Sequence, residues 1–319
     1  MKPRGDVVDF IDFAPAIEDF GEAVLRGLAG RPKSIPAKFF YDARGSELFE
    51  AICKLPEYYP TRTELALLRR HAGDIAALIG PRAELIELGS GASRKVGLLL
   101  DALDRPAGYT AIDISRSALR AATARIAQGY PRLAVTAICA DYTQDFTLPR
   151  AHGRRVVFFP GSTIGNMVPA EARDFLRQWA ALLPGEAMLI GADLRKDEAV
   201  LHAAYNDAQG VTAAFNLNLL ARINRELDGD FDLDEFDHRA FFNPRKSRIE
   251  MHLASRRAQI ARVLGRPFRF RAGETIHTEN SYKYTPRSFR LLATAAGFRT
   301  EAQWVDPVTP FGLFYLRAV

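Results

Sequence analysis

Between about residues 84 and 194, short apolar runs alternate with amphipathic segments, and that rhythm leaves few folds open. ELIELG (84–89), GYTAIDI (108–114), LAVTAICADY, RRVVFFPGS and AMLIGADL read as strands. SRKVGLLLDAL (93–103), SALRAATARIAQGY (117–130) and PAEARDFLRQWAALL read as the helices between them. Strands this uniformly apolar are buried on both faces, as happens when helices cover both sides of a parallel sheet. The pattern predicts an α/β, doubly wound, Rossmann-like core.

After Asp193 the rhythm changes. VLHAAYNDAQGVTAAFNLNLLARINREL reads as helical throughout, and DHRAFFNPRKSRIEMHLASRRAQIARV as two long strands joined by an Asn-Pro turn. This α+β stretch predicts a second domain. PRSFRLLATAAGF (286–298) then reads as a helix, and RTEAQWV and GLFYLRAV as strands. Two strands joined without a crossover helix must pair antiparallel. The expected division is a helical lead-in over 1–61 that belongs with the substrate domain, a nucleotide-binding domain over 62–195, a substrate-binding domain over 196–285, and a closing helix and strands over 286–319 that complete the nucleotide-binding domain.

The net charge of +5 is scattered, with acids alternating among the arginines as in EARDFLRQ, so no basic stripe for nucleic acid is expected. No apolar run reaches the roughly 18 residues of a membrane span, and MKPRGDVVDFIDF lacks the apolar stretch of a secretory signal. Cys53 and Cys139 stand far apart and in no metal-ligand spacing, which suits a reducing cytoplasm. No metal is expected, because the six histidines form no H-x-x-x-H pair.

The turn after the first of these strands reads Gly89-Ser90-Gly91-Ala92-Ser93-Arg94. A dinucleotide fingerprint needs a third glycine for close helix–strand packing, and here it is missing. Asp113 ends the next strand, where a carboxylate can accept both ribose hydroxyl protons. Asp141-Tyr142, at the tip of the third, offers an acid and a flat apolar face to an adenine. These features suit either NAD or S-adenosylmethionine (SAM). SAM carries no pyrophosphate, so the incomplete glycine pattern counts against NAD, and an antiparallel chain ending is typical of SAM-dependent methyltransferases.

Other patterns have plain alternatives. GSTIGN (161–166) superficially resembles a nucleophile elbow, but Thr163 stands where the serine belongs. On a methyltransferase this loop lies beside the transferring methyl group, which makes Asn166 a grip on substrate; its plain reading is a helix cap. His277-x-Glu279 lacks the P-C-x-x-C that a deaminase requires. Phe39-Phe40-Tyr41 and Tyr58-Tyr59 suit a core, or the walls of a pocket for a polar, flat substrate.

PAKFFYDARGSELFEAICKLPEYYPTRTE, IELGSGASRK, PGSTIGN, AAYNDAQGVTAAFN, RIEM and TENSYKY follow one another in this order. In these segments, which extend over nearly the whole chain, the sequence resembles the histidine-specific N-alpha-methyltransferases of ergothioneine biosynthesis. The resemblance implies a class I SAM-dependent methyltransferase core with a second α+β substrate-binding domain. It implies a cytoplasmic, monomeric enzyme that moves three methyl groups from SAM to the α-amine of L-histidine, with no nucleic-acid or membrane partner. Gly89, Gly91, Lys95, Asp113, Asp141 and Tyr142 would hold SAM. Tyr58, Asn166 and Tyr205 would grip the amino-acid end, with Gly161 and Thr163 framing it and Tyr41 facing the amine. Glu279 and Ser281 would bind the imidazole, with Phe49 and Met251 packed beside it. A related enzyme for tryptophan and a SAM-binding module without turnover are the competing readings, and a carboxylate at Glu279 argues against an indole.

Overall fold

The computed structural model describes residues 8–15, 18–90 and 94–319. The chain opens with β1 (Val8–Asp12), α1 (Phe20–Ala29), the short β2 (Lys33–Ser34), α2 (Ala43–Ile52) and α3 (Tyr59–Ile79). The alternating region follows as β3 (Ala83–Leu88), α4 (Arg94–Ala102), β4 (Gly108–Asp113), α5 (Arg116–Gly129), β5 (Ala134–Cys139), β6 (Arg154–Phe159), α6 (Pro169–Leu182) and β7 (Ala187–Asp193). Next come α7 (Glu198–Tyr205), α8 (Val211–Glu226), β8 (Phe236–Asn243), β9 (Arg248–Ser255), β10 (Gln259–Val263), β11 (Arg266–Phe270) and β12 (Thr275–Tyr282). The chain closes with α9 (Pro286–Ala295), β13 (Phe298–Val305) and β14 (Phe311–Ala318).

One sheet takes the order β1-β5-β4-β3-β6-β7-β14-β13. Its strands are parallel except β14, which runs antiparallel to both β7 and β13. The expected strands and helices of the alternating region are all present. Strand pleating sorts their side chains between two cores: Leu85 packs with Leu67, Leu99 and Leu119 on one face, and Ile86 and Leu88 pack with Phe175, Trp179 and Phe289 on the other.

A second sheet, β2-β12-β9-β8, has its own core, in which Met251, Leu253 and Ile276 meet Phe215 and Leu219 of α8. Four details differ from the sequence reading. The lead-in is not only helical: β1 pairs with β5 at the edge of the large sheet, and β2 pairs with β12 of the small one. The long helical stretch breaks after Tyr205, where the Asp207 carboxylate accepts the N–H groups of Val211 (2.9 Å) and Thr212 (2.8 Å) and so starts α8 anew. The second long strand stops at Ser255, and β10 pairs with β11 as a separate hairpin. Finally, TIHTENSY, which has no strand-like apolar alternation, is β12, an interior strand of the small sheet. Among the described residues no helix is long and apolar enough to cross a membrane.

Candidate active site

The tips of β3, β4 and β5 lie side by side and carry three of the expected groups. Gly89 adopts φ +71°, a conformation that L side chains rarely take. Gly91 lies outside the described residues. Asp113 is half-buried, accepts the N–H of Ser115 at 2.9 Å, and has its pKa pushed up by burial. Asp141 accepts both the N–H (2.9 Å) and the hydroxyl (2.6 Å) of Thr143. The Tyr142 ring stands edge-on to Phe159 at 5.8 Å and Phe175 at 6.3 Å, and its carbonyl accepts from the Trp179 indole. Tyr142 is thus a fixed flat wall beside the Gly89 turn.

Lys95, in the first turn of α4, is held by a residue the sequence reading did not single out. Its ammonium lies 2.5 Å from the carboxylate of Glu64, which is completely buried on α3. Both oxygens of Glu64 also accept the N–H of Gly161 at 3.0 Å. The space for this carboxylate exists because position 191 is glycine; a Cβ there would lie 2.0 Å from Oε1 of Glu64. A carboxylate for vicinal hydroxyls, a flat ring for a base and an ammonium for a carboxylate form a set that fits SAM, whose adenosine and amino-acid ends need those groups.

Across the seam lies a small, partly open cavity. Five expected residues line it: Phe49, Tyr58, Tyr205, Met251 and Glu279. Thr212 and Phe215 of α8 line it too, with Ile52 and Ala204, and none of these was singled out from sequence. Tyr41 stands exposed beside them, edge-on to Phe49 at 5.5 Å and Phe215 at 5.8 Å. Ser281 is buried just behind the wall and accepts a hydrogen bond from Tyr205 at 2.8 Å.

Glu279 owes its direction to a bulge. The register between β12 and β9 shifts between His277 and Glu279, so the neighbours Thr278 and Glu279 both turn toward α8. Thr278 donates to Asn216 of α8 at 2.8 Å, while Glu279 enters the cavity. Among the described residues none donates a hydrogen bond to the Glu279 carboxylate. Burial pushes its pKa up to about 7, partly opposed by Lys283.

Gly161, Thr163 and Asn166 do not line the cavity. They lie on the loop after β6, where the Thr163 hydroxyl is spent on the Pro160 carbonyl (3.1 Å) and Asn166 is exposed at the end of a short 3-10 helix. The loop is tied to both halves of the site. Ser162 accepts the N–H of Asp193 at 2.8 Å, and a Cβ on Gly165 would lie 2.9 Å from the Tyr282 carbonyl oxygen of β12.

A buried ionic cluster sits behind the cavity, also missed from sequence. Asp193, at the end of β7, accepts from Tyr59 (2.6 Å) and Lys196 (2.5 Å) and lies 2.8 Å from the ammonium of Lys283. Burial works against its charge, but the two lysines hold its pKa below the ordinary value. Burial pulls Lys196 down to about 8.

The histidines also come together in a way their spacing hides. Ligand atoms of Glu250, His252 and His277, on neighbouring strands, lie within 4.8 Å of one another. Glu250 is already held by Arg248 (2.7 Å), Asn243 (2.9 Å) and His252 (3.2 Å), and Phe241 stacks on His252. This arrangement is a cross-strand polar ladder.

Comparison with known proteins points to one family. The profile of a family described as histidine-specific methyltransferase, SAM-dependent, matches residues 20–318. The chain is similar to a histidine N-alpha-methyltransferase of Mycolicibacterium smegmatis, with 46% identity across 93% of this chain and 94% of that protein. A protein of the same name from Mycobacterium tuberculosis is 44% identical across 93% of this chain and 95% of its own length. Ergothioneine biosynthesis protein 1 of Neurospora crassa is 33% identical across 86% of this chain, which spans 32% of that longer protein.

Proposed function

The chain belongs to the histidine-specific, SAM-dependent methyltransferases, and from that premise we propose that it trimethylates the α-amine of L-histidine to hercynine, the first step of ergothioneine biosynthesis. The observation that carries the substrate choice is Glu279, a carboxylate in a small aromatic cavity to which none of the described residues donates a hydrogen bond. An imidazole N–H meets that need, and its flat ring suits Phe49 and Met251.

Bound SAM supplies a methyl group on a positively charged sulfur. In this reading Asp113 accepts from the ribose hydroxyls, Tyr142 and Asp141 flank the adenine, and Gly89 and Gly91 let the backbone approach. Lys95, braced by Glu64, meets the carboxylate of the amino-acid end. Tyr58, Tyr205 and Asn166 grip the histidine carboxylate and amine, and Ser281 pairs with Glu279 on the ring. Gly161 and Thr163 shape the loop that brings Asn166 to the amine. The α-amine of free histidine is largely protonated near pH 7 and must lose that proton to attack. Tyr41 faces it, directly or through water, and holds its lone pair in line. Placement of this kind can supply roughly 7–11 kcal/mol of the barrier.

In this division of labour 62–195 with 286–319 holds the cofactor and 1–61 with 196–285 holds the substrate; the core of the small sheet supports the latter from about residue 20 onward, while β1 belongs to the large sheet. We propose that the chain acts as a cytoplasmic monomer, with both cysteines free as a reducing compartment would keep them. Incubation with SAM and each common amino acid, read by product mass, tests the reading. Histidine alone should gain three methyl groups; preferential methylation of another amino acid would overturn it.

A further inference from the structure

Lys283, next but one to Ser281 on the chain, is buried within the ionic cluster. An ammonium has three donors and accepts nothing. All three are used: on Asp193 at 2.8 Å, on the Ser281 hydroxyl at 2.8 Å and on the Tyr205 hydroxyl at 3.0 Å. A hydroxyl oxygen that accepts from an ammonium keeps its own proton to give away. Tyr205 gives its proton to Ser281, whose oxygen thus accepts from two partners and has both lone pairs occupied. The Ser281 proton is left to point elsewhere. The cluster is also unbalanced, because Lys196 and Lys283 share one buried carboxylate, Asp193.

Resting on the histidine reading above, we propose that Lys283 is a positioning residue for the substrate, one that makes donors of the Tyr205 and Ser281 hydroxyls and places a positive charge behind them. Tyr205 then turns its proton to an entering carboxylate. Ser281 gives its proton to the bare nitrogen of a neutral imidazole, while Glu279 accepts from the N–H of the other. Glu279 and Ser281 are two residues apart on one strand and share its face. An indole offers an N–H but no bare ring nitrogen, so it would leave the Ser281 proton unmatched. Lys283 thereby sets the polarity by which the site reads histidine.

The test is steady-state kinetics on Lys283→Met, alone and in a Tyr205→Phe, Ser281→Ala background, with folding followed by circular dichroism and SAM affinity by titration. In the native background KM for histidine should rise about tenfold or more, with kcat within about threefold and SAM affinity unchanged. Without the two hydroxyls the same substitution should change KM less than about twofold, because Lys283 acts through them. Equal effects in the two backgrounds, or a loss confined to kcat or SAM binding, would overturn the proposal. If Lys283→Met does not fold, Lys283→Gln, which keeps N–H donors but no charge, takes its place; a smaller rise in KM is expected, again confined to the native background, and an unchanged KM overturns the proposal. If the unaltered enzyme does not methylate histidine, the parent reading fails and this one falls with it.

Discussion

Glu279 is where the histidine reading can be tested most sharply, through pH. Its carboxyl ionises at about 7 in the structure against an ordinary value of 4.5, because burial penalises the charge. The difference of about 2.5 pH units corresponds to roughly 3 kcal/mol. A ring N–H recovers about 1.5–3 kcal/mol of that as a charge-assisted hydrogen bond. Two groups must therefore be deprotonated for the proposed contact: Glu279, at about 7, and the imidazole, at about 6.5 in free histidine. Below about pH 6.5 the logarithm of KM should fall by close to two for each unit of rising pH, and above about 7.5 it should level off. Glu279→Gln keeps a carbonyl acceptor and removes one titration. In that variant the slope should drop to about one and the bend should move down to the imidazole value. Glu279→Ala removes the acceptor, so KM should rise about ten- to hundredfold, with kcat spared because the ring contact is the same in ground and transition states. SAM affinity should not move. Initial rates across pH 5.5–8.5 at saturating SAM give every quantity needed. An unchanged KM in the alanine variant, or one slope shared by wild type and Glu279→Gln, would refute the assignment.

Three further outcomes follow from the same geometry. Asp113→Ala should weaken SAM binding by at least a hundredfold, from two charge-assisted bonds of roughly 1.5–3 kcal/mol each, and calorimetric titration of the folded variant checks it. Gly191→Ala should lower SAM affinity about tenfold or more without touching β4 or Asp113, since its Cβ would collide with Glu64 and loosen Lys95 and Gly161; unchanged affinity would mean that Glu64 braces nothing. Burial holds the Glu87 carboxyl at about 8, against an ordinary 4.5, so the folded protein keeps a proton there that the unfolded chain sheds; stability should fall as pH rises from about 4.5 through 8 by up to a few kcal/mol, and Glu87→Gln should flatten that slope in thermal melts.

The parallel core was legible because a strand covered on both faces has little sequence freedom. Most of its residues meet apolar neighbours, as LI of ELIELG and VVFF of RRVVFF do, with Glu84 and Glu87 the buried polar exceptions. The strand tips were legible for a related reason: Gly89 and Asp113 occupy positions that the topology assigns to ligands before any side chain is considered. The small sheet was harder to read. β12 carries Thr278, Glu279 and Ser281 on its inner side, so the alternation that betrays a strand is replaced by polar residues that serve the site. Its bulge then puts two consecutive residues on one face, which defeats a strict period of two. The buried charges left fainter marks. Glu64 lies on the helical stripe of α3 that continues through Leu67, Leu68 and Ile75, and a carboxylate in an apolar stripe signals a buried partner. Asp193 closes the apolar run AMLIGAD in the same manner. Neither mark names its distant partner, because Lys95 and Lys283 come from other parts of the chain.

Those partners explain how two separately packed sheets can serve one reaction. Methyl transfer needs the amine held in line with the departing methyl group, and a misplacement of about 1 Å can cost a hundredfold in rate. A seam between two separately packed sheets is a poor place for such accuracy unless it is bolted. Here the bolts are buried and polar. Glu64 ties Lys95 to the Gly161 loop, that loop meets the carbonyl of Tyr282 on β12, and Lys283 just after that strand reaches back to Asp193 of the large sheet. An apolar seam could slide by a rotamer, whereas breaking one of these contacts strands a buried charge, at roughly 3–5 kcal/mol. The cluster therefore does more for register than for net stability. Replacing Asp193 and both lysines together by apolar residues of matching size should leave the melting temperature within a few degrees of wild type while kcat falls about tenfold or more, unlike Lys283→Met alone, in which Tyr59 and Lys196 still hold Asp193. A loss of folding in step with the loss of rate would show that the cluster serves stability instead.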